Sequence, residues 1–273
     1  MAHKLLTTRV LAAILRLAMP ANAADIPTAC KDQAPWGAPQ WVDAEPSLTS
    51  LCRTAYVALH DDAKLVPDFV SWRLTAAHAL GCLPRKDSFK ADPDLPAGHR
   101  AELVDYKGQV GVYDRGHFAP NSDFSWDAEV QRQSFYLSNM SPQASHLNQW
   151  EWEVLESTTR AWAVQRKSLI VMDGPLWYDT PEMIGPDHVA VPAAYWKVVV
   201  DPKSNEAIAF IMSNEPTPKG DLQPYVTSID EVQKRAGLVL PLPSGIDRSE
   251  EPSMWAADIK GFQAKKQKAC SPK

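Results

Sequence analysis

Short apolar runs separated by polar and turn-forming segments make up the pattern of this 273-residue chain. Runs of five or six residues, rich in Val, Ile and aromatic side chains, predict the strands of a largely buried sheet. They lie at 55–60, 69–74, 168–172, 195–200 and 207–212. Helical patterns cover 126–133 and 147–164; the second contains no Pro or Gly and has Ser145 near its expected N-cap. Strands mixed with a few helices, without strict alternation, predict an α+β fold.

The stretch between residues 84 and 111 is rich in Pro, Asp and Lys, which favours loops. Within and after it, residues 109–113 predict a strand that leads into a turn formed by residues 114–117. Gly174-Pro175 predicts the end of the strand that begins at 168. No Gly/Ser-rich linker or internal repeat divides the sequence, so we expect a single domain over 24–273.

The first 23 residues have the composition of a cleavable leader and are left out of the fold prediction. They contain three basic residues and no acidic one, an apolar run over 10–19, and Ala21-Asn22-Ala23 as an A-x-A cleavage pattern. We therefore predict a bacterial export signal and a periplasmic or secreted protein. An organelle transit peptide is the alternative interpretation of the same leader. The apolar run is too short to span a bilayer.

Four cysteines follow the leader: Cys30, Cys52, Cys82 and Cys270. An even number in an oxidising compartment predicts disulfides, and the lack of a C-x-x-C spacing argues against a zinc site. Three pairings remain open. We favour Cys30–Cys52, which would tie down the N-terminal arm, and Cys82–Cys270, which would tie down the C-terminal tail. Free buried thiols are the alternative.

The chain is acidic, with a net charge of −5 that becomes −8 once the three basic leader residues are removed. This balance is unfavourable for binding polyanions, which proteins normally contact through Lys and Arg. The basic residues are unevenly distributed, however, and ten of them lie between residues 85 and 167. We therefore expect a basic cleft on an acidic body.

Candidate catalytic side chains begin at residue 114. His117 is a candidate general base, because a neutral imidazole with a pKa of about 6.5 accepts a proton from water near neutral pH. Asn148 offers an amide oxygen, a hard donor suited to Mg²⁺, although an asparagine at a helix start also caps backbone amides. Glu156 lies about 12 Å further along a continuous helix and is rotated by roughly 80°. That separation argues against direct binding of one ion by both side chains.

This arrangement resembles that of the DNA/RNA non-specific endonucleases, a branch of the ββα-metal (His-Me finger) nucleases. The resemblance rests on the tetrad Asp114-Arg115-Gly116-His117 and on Asn148, Trp152, Leu155 and Glu156 at the family's spacing. It extends over roughly residues 47–262. It implies a ββα-metal nuclease core on a central, mainly antiparallel sheet flanked by helices.

The resemblance also implies roles for three of these side chains. His117 would be the general base. Asn148 would be the direct ligand of one Mg²⁺ ion, for which Mn²⁺ would substitute. Glu156 would take part in catalysis and would reach the ion through a water molecule.

Five further residues are candidates for the same site. Arg85, which matches the family's upstream arginine, and Arg115 would bind the phosphate during catalysis, because a guanidinium pairs with two phosphate oxygens. The alternative for Arg115 is a local pair that holds the turn together. Arg160 would be a further phosphate-binding residue or a plain surface arginine. Asp114 and Asn139 would support the site, for instance by holding the second ring nitrogen of His117.

Together these patterns predict an exported Mg²⁺-dependent endonuclease that hydrolyses DNA and RNA to 5′-phosphorylated fragments. Contacts with the sugar-phosphate backbone carry no base information, in agreement with non-specific cleavage. Two alternatives remain open: a non-catalytic nucleic-acid-binding protein on a nuclease scaffold, and an exported phosphodiesterase of small molecules. We expect DNA and RNA as partners, no membrane, and room for an unidentified protein inhibitor. The sequence assigns no preference between DNA and RNA, no oligomeric state and no biological role.

Overall fold

The computed structural model describes residues 25–43, 46–216 and 220–271, so the predicted leader at 1–23 lies outside these ranges. Within them, no helix is both long enough and apolar enough to cross a membrane. The strands are β1 (Gln40–Trp41), β2 (Leu48–Cys52), β3 (Tyr56–Asp61), β4 (Val66–Thr75), β5 (Tyr113–His117), β6 (Met140–Ala144), β7 (Ser168–Leu176), β8 (Met183–Ile184), β9 (Val189–Ala190), β10 (Ala194–Asp201), β11 (Glu206–Ser213), β12 (Val226–Thr227) and β13 (Leu238–Val239). The helices are α1 (Ala76–Ala79), α2 (Ala128–Ser134), α3 (Ser145–Gln149), α4 (Glu151–Arg166), α5 (Ile229–Ala236) and α6 (Ile259–Cys270).

A seven-stranded antiparallel sheet forms the centre of the fold, in the order β12-β11-β10-β7-β4-β3-β2. Its middle strands are buried on both faces. In β7, Leu169 and Val171 pack into one core, and Ile170 and Met172 pack into the other. Because both faces are covered, these strands are continuous apolar runs in the sequence. The five predicted strands are confirmed as β3, β4, β7, β10 and β11, and the α+β fold is confirmed with them.

Helices cover the two faces of this sheet. Trp152, Leu155 and Trp162 of α4 lie in one core, together with Phe262 of α6. On the opposite face, Val232 of α5 lies in the second core. The long helix α4 is therefore fixed against the sheet by large buried side chains.

A separate antiparallel ribbon, β5 with β6, leads directly into α3 and α4 and forms the ββα unit. The predicted position of the first strand was wrong. Residues 109–112 form a turn in which Val110 is 94% exposed, and the tetrad at 114–117 lies on β5 itself. Pairing with β6 holds the tetrad extended, from Asp114 opposite Gln143 to His117 opposite Met140.

The predicted helix at 147–164 is in fact two helices. The break falls at Trp150, whose backbone angles (φ −123°, ψ −94°) are not helical. Ser145 is the first residue of α3 rather than its cap. Asn148 therefore lies on a short helix of its own, and the helical separation expected between it and Glu156 does not apply.

Two smaller features concern β7 and the cysteines. The strand does not end before Gly174-Pro175 as predicted. Its ladder to β4 ends at Asp173, while Gly174 and Pro175 continue to pair with β10.

The favoured disulfides Cys30–Cys52 and Cys82–Cys270 are both present. The second links α6 to the segment that leads to Arg85.

Candidate active site

One cavity of about 360 Å³ gathers most of the predicted site residues at the open end of the ββα unit. Its walls include seven of the eight candidates: Arg85, Asp114, Arg115, His117, Asn148, Glu156 and Arg160. The eighth, Asn139, is fully buried behind the ribbon and is not part of its walls. The ribbon supplies the tetrad, and α3 and α4 supply the amide and the carboxylate.

His117 is buried at the end of β5. Its ring packs edge-on against Phe135, with ring centroids 5.2 Å apart, and lies 5.8 Å from the ring of Phe89. Burial, together with the positive charges of Arg85 and Arg115, lowers the pKa of His117 to about 3. Its Nε2 has no hydrogen-bond partner among the described residues. The imidazole is therefore neutral at physiological pH.

Asp114 holds Asn148 rather than His117. Its carboxylate accepts hydrogen bonds from Asn148 Nδ2 (2.7 Å), Gln149 Nε2 (2.8 Å) and Ser145 Oγ (2.9 Å). Because the amide nitrogen of Asn148 is directed to Asp114, its Oδ1 is left for another partner. Asp114 thereby fixes which end of the Asn148 amide is available in the cavity.

Asn139 also supports the site without contacting His117. Its Nδ2 donates to the backbone oxygens of Ala119 and Ser134, both at 2.9 Å, and its Oδ1 accepts from the backbone N–H of Ala119 at 3.0 Å. With its side chain committed to these backbone groups, it fixes the segment that follows His117. The expected bond from Asp114 or Asn139 to His117 is therefore absent from the described residues.

Gly116 is required by close packing, not by the turn that the sequence suggested. A Cβ atom at this position would lie 2.3 Å from Gln143 Oε1 and 2.5 Å from Gln143 Cβ. The absence of a side chain lets β5 lie against β6 in the register that presents Arg115 and His117.

Arg160 is buried, in contrast to the exposed alternative considered from the sequence. Its Nη1 lies 3.2 Å from Asp123 Oδ1 and 3.8 Å from Glu156 Oε2. Asp123 in turn accepts a hydrogen bond from the indole N–H of Trp72 at 3.0 Å. Glu153 Oε1 lies 3.8 Å from Nη2 of Arg160, so the guanidinium already faces three carboxylates, which argues against a freely available phosphate clamp.

Glu156 lies beside this pair with 14% of its side chain exposed. Burial raises the pKa of Glu156 to about 8, and the charges of Arg160 and Lys197 offset part of that rise. Lys197 is itself fully buried and ion-paired with Asp173. A cation in the cavity would favour the ionised carboxylate, because an opposite charge nearby stabilises the charged form.

Arg85 and Arg115 lie at the rim. The Arg115 guanidinium stacks over Phe89, 4.1 Å from the ring centroid, and that of Arg85 lies 5.2 Å from the centroid of Phe135. Arg85 is half exposed and pairs with Asp87 at 2.6 Å. Both arginines also line an adjoining cleft of about 700 Å³. Arg85 and Arg115 therefore lie between the 360 Å³ cavity and the 700 Å³ cleft.

The donors in the cavity suit a hard cation with few protein ligands. No group of three or more His, Cys, Asp or Glu side chains within the described ranges is arranged to hold a metal ion. Structural or catalytic zinc takes three or four such ligands. Mg²⁺ keeps most of its waters and binds one or two protein oxygens, which the Asn148 amide and the Glu156 carboxylate offer.

Sequence reasoning gave no role to Asn121, Gln149 and Glu153, which also line the cavity. Asn121 lies four residues after His117, and Gln149 follows Asn148 directly. Their proximity in the chain to the recognised residues was the available signal. Lys197 lies within the predicted strand at 195–200, and the sequence pattern did not predict its burial near Glu156.

Comparisons with known proteins agree with this geometry. The family profile of the DNA/RNA non-specific endonucleases matches residues 42–247. Human mitochondrial endonuclease G is 30% identical over 210 residues, which cover 71% of this chain and 70% of the human protein. A nuclease from Nostoc sp. is 31% identical over 199 residues, covering 68% of this chain and 71% of the Nostoc protein. For bovine endonuclease G the match spans about half of the relative, 54%.

A solved structure gives the same result. The crystal structure of the EndoG/EndoGI complex, which concerns the mechanism of EndoG inhibition, matches with a TM-score of 0.71 and 26% identity. The match covers 78% of this chain and 91% of the other chain. This level of likeness extends beyond the ββα unit to most of the described fold.

The comparisons overturn the predicted periplasmic or secreted location. Human and bovine endonuclease G are named as mitochondrial, as are a nuclease from Xenopus laevis and one from Schizosaccharomyces pombe. The relative from Nostoc carries no such label. Similarity to these proteins therefore assigns no compartment to this chain.

Proposed function

Because this chain belongs to the DNA/RNA non-specific endonucleases, a family of metal-dependent phosphodiester hydrolases, we propose that it cuts DNA and RNA at the cavity around His117 with Mg²⁺. The products would be 5′-phosphorylated fragments. One observation carries the proposal. A neutral histidine, an amide oriented by Asp114 and two arginines line the same 360 Å³ cavity.

His117 would accept the proton of the attacking water through a ring nitrogen. Its low pKa keeps the ring neutral, but it also makes the ring a weak base while the site is empty of substrate. Arg85 and Arg115 contribute to that low value. A phosphate anion between the two arginines would offset their charge and raise the pKa of His117. Substrate binding would thus strengthen the base at the moment that it is needed.

Asn148 would hold the ion through Oδ1, with Asp114 keeping the amide nitrogen turned away. Glu156 would orient a water molecule beside the ion. When bound, Mg²⁺ supplies positive charge that polarises the phosphate and stabilises the leaving 3′-oxygen. The buried Arg160 would position Glu156 rather than contact the phosphate.

Arg85 and Arg115 would bind the non-bridging phosphate oxygens. Extra negative charge gathers on those oxygens in the transition state, so the contacts would aid the chemical step as well as binding. The aromatic rings beneath both guanidinium groups restrict their positions. Since neither arginine would touch a base edge, cleavage would be insensitive to sequence.

A protein inhibitor that covers this cavity is an additional proposal. It is supported by the similarity to the EndoG chain of the EndoG/EndoGI complex. The exposed apolar residues Leu103, Val104 and Val110 beside the cavity offer contact area for such a partner.

The test is a plasmid-nicking and RNA-digestion assay, with a chromogenic phosphodiester measured in parallel. We expect cleavage of both nucleic acids, loss of activity in EDTA and recovery with Mg²⁺ or Mn²⁺. The variants His117→Ala and Asn148→Ala should each lose at least about 100-fold in rate while keeping the wild-type circular dichroism spectrum.

Other outcomes would select another function. Binding of DNA without cleavage by the wild-type protein would favour a non-catalytic binding protein. Turnover of the chromogenic diester alone would favour a small-molecule phosphodiesterase. Near wild-type rates in folded His117→Ala would remove His117 from the mechanism.

A further inference from the structure

We propose that the side-chain amide of Asn121 is a further substrate-contacting group, which donates a hydrogen bond to a phosphate oxygen bound in the cavity. This inference rests on the proposed nuclease function and deepens it. It adds an uncharged donor to the arginines at the rim.

Asn121 is held in place by its backbone neighbours. It begins the 3₁₀-helix Asn121–Phe124, four residues after His117. Asn139 fixes Ala119 by two hydrogen bonds, and Asp123 is fixed by Trp72 and Arg160. The segment between the proposed base and the buried Asp123–Arg160 pair is therefore anchored at both ends.

The amide nitrogen of Asn121 lacks a hydrogen-bond partner among the described residues. The residue is only 4% exposed, and its Nδ2 has no hydrogen-bond partner among the residues that the structure describes. Most buried side-chain polar atoms in proteins are hydrogen-bonded, and an unpaired one calls for an explanation. A structural asparagine such as Asn139 satisfies its amide nitrogen with backbone oxygens, and the amide nitrogen of Asn121 makes no such bond within the described ranges.

The position of Asn121 supplies that explanation. It lines the same cavity as His117, Arg85 and Arg115. Glu153 and Glu156 also line the cavity, but the described structure gives neither of them a hydrogen bond from Asn121. A substrate oxygen that enters the cavity would supply the missing acceptor. The positive rim favours an anionic oxygen there, and a phosphodiester provides one.

A matched control residue is available in Gln131. It is also buried, at 6% exposure, and its Nε2 likewise has no partner within the described part of the chain. It lies on α2 and is not among the residues that line the cavity. The two amides share burial and an unpaired nitrogen, and they differ in access to the substrate.

The experiment compares wild type, Asn121→Ala, Asn121→Asp and Gln131→Ala. It measures kcat/KM on plasmid DNA and unfolding by urea. It also measures affinity for a short labelled duplex with Ca²⁺, in the His117→Ala background. We expect Asn121→Ala to lower kcat/KM about tenfold, the effect of one hydrogen bond to a charged oxygen, without lowering stability. Asn121→Asp should lower it further, because a carboxylate repels phosphate. Gln131→Ala should keep wild-type activity.

Two results would overturn the inference. Wild-type kcat/KM and affinity in Asn121→Ala would mean that the amide meets only solvent. An activity loss matched by a large loss of stability would make its role structural. If wild type and Gln131→Ala are themselves inactive, the proposed function fails and the inference falls with it. If wild type and Gln131→Ala are active and Asn121→Ala is unaffected, the inference about Asn121 fails while the proposed function stands.

Discussion

At the scale of single residues, two carboxylates, those of Asp114 and Asp123, hold different parts of the site in place. Asp114 is surrounded by donors from α3 and fixes the Asn148 amide. Asp123 is buried with Arg160 and fixes the Arg160 guanidinium beside Glu156. Neither contacts His117. The proposed base is instead placed by strand pairing and by the rings of Phe89 and Phe135.

The role of Asp114 is testable through the metal. In Asp114→Ala the Asn148 amide loses its fixed orientation. Partners of metal ligands typically contribute 10- to 100-fold to metal affinity. The Mg²⁺ concentration for half-maximal activity should therefore rise by about that factor, while saturating Mg²⁺ restores much of kcat. Gln149→Ala removes a single donor to Asp114 and should raise this Mg²⁺ concentration by a smaller factor. An unchanged Mg²⁺ requirement in Asp114→Ala would contradict this role.

The low pKa of His117 predicts a pH effect on stability. In the unfolded chain the pKa is about 6.5, and in the folded protein it is about 3. Between these values the unfolded state binds a proton that the folded state does not. Stability therefore falls as pH falls through this window. At pH 5 the loss from His117 should reach about 2 kcal/mol relative to pH 7.

The measurement is urea unfolding in EDTA at pH 7 and pH 5, for wild type and for His117→Ala. The variant lacks the titrating ring, so its stability should depend less steeply on pH. Parallel pH dependences in the two proteins would show that His117 titrates normally.

At the scale of elements, the break at Trp150 decides how the metal ligand is presented. Residues 145–166 contain only good or neutral helix residues, so the sequence favours one helix. The structure divides them, and the buried Glu151 that opens α4 accepts a hydrogen bond from the backbone N–H of Gly220 at 2.6 Å. A contact of this kind, with a residue 69 positions further along the chain, leaves no local signal in the sequence.

In the β5–β6 ribbon, too, residue types alone gave the wrong element. Val110 and Val112 favour a strand by residue type, yet they are 94% and 55% exposed in a turn. Asp114, Arg115 and Gly116 favour strands poorly, yet they pair with β6. Strand preference depends on what a segment packs against. The central sheet was predictable because strands that are buried on both faces appear in the sequence as apolar runs. The ribbon was not, because β5 is held extended by its pairing with β6 and not by its own residue types.

Gly116→Ala tests the packing of the ribbon. The added Cβ would overlap the side chain of Gln143, and overpacking of this kind costs about 1–3 kcal/mol. We expect lower stability in urea together with a lower cleavage rate, because displacement of β5 moves His117 and Arg115. A variant with wild-type stability and rate would show that the two strands separate without consequence.

At the scale of the whole molecule, an acidic chain must bind a polyanion through a small region. The net charge of −5 repels nucleic acid at long range, and the proposed phosphate contacts are confined to Arg85, Arg115 and their neighbours. Only a few phosphates would then be neutralised. Binding should rely on short-range contacts and respond weakly to salt.

That expectation can be measured as the slope of log affinity against log salt concentration, with His117→Ala and Ca²⁺ to prevent cleavage. Each neutralised phosphate of B-DNA contributes about −0.9 to the slope, so we predict roughly −2 to −4. Arg85→Ala should weaken DNA and RNA binding alike. A slope steeper than about −7 would reveal an extended basic surface elsewhere on the molecule.

The disulfide between Cys82 and Cys270 has a consequence for covalent topology. It joins residues 188 positions apart, and every side chain proposed for catalysis, from Arg85 to Arg160, lies on the stretch between them. The proposed catalytic apparatus therefore lies on a closed covalent ring, whereas strands β1 to β4 precede the ring in the chain. A protease that cuts this ring once opens it but releases no fragment, because the disulfide still joins the two pieces. Only reduction of that single bond, or a second cut, would let the halves part.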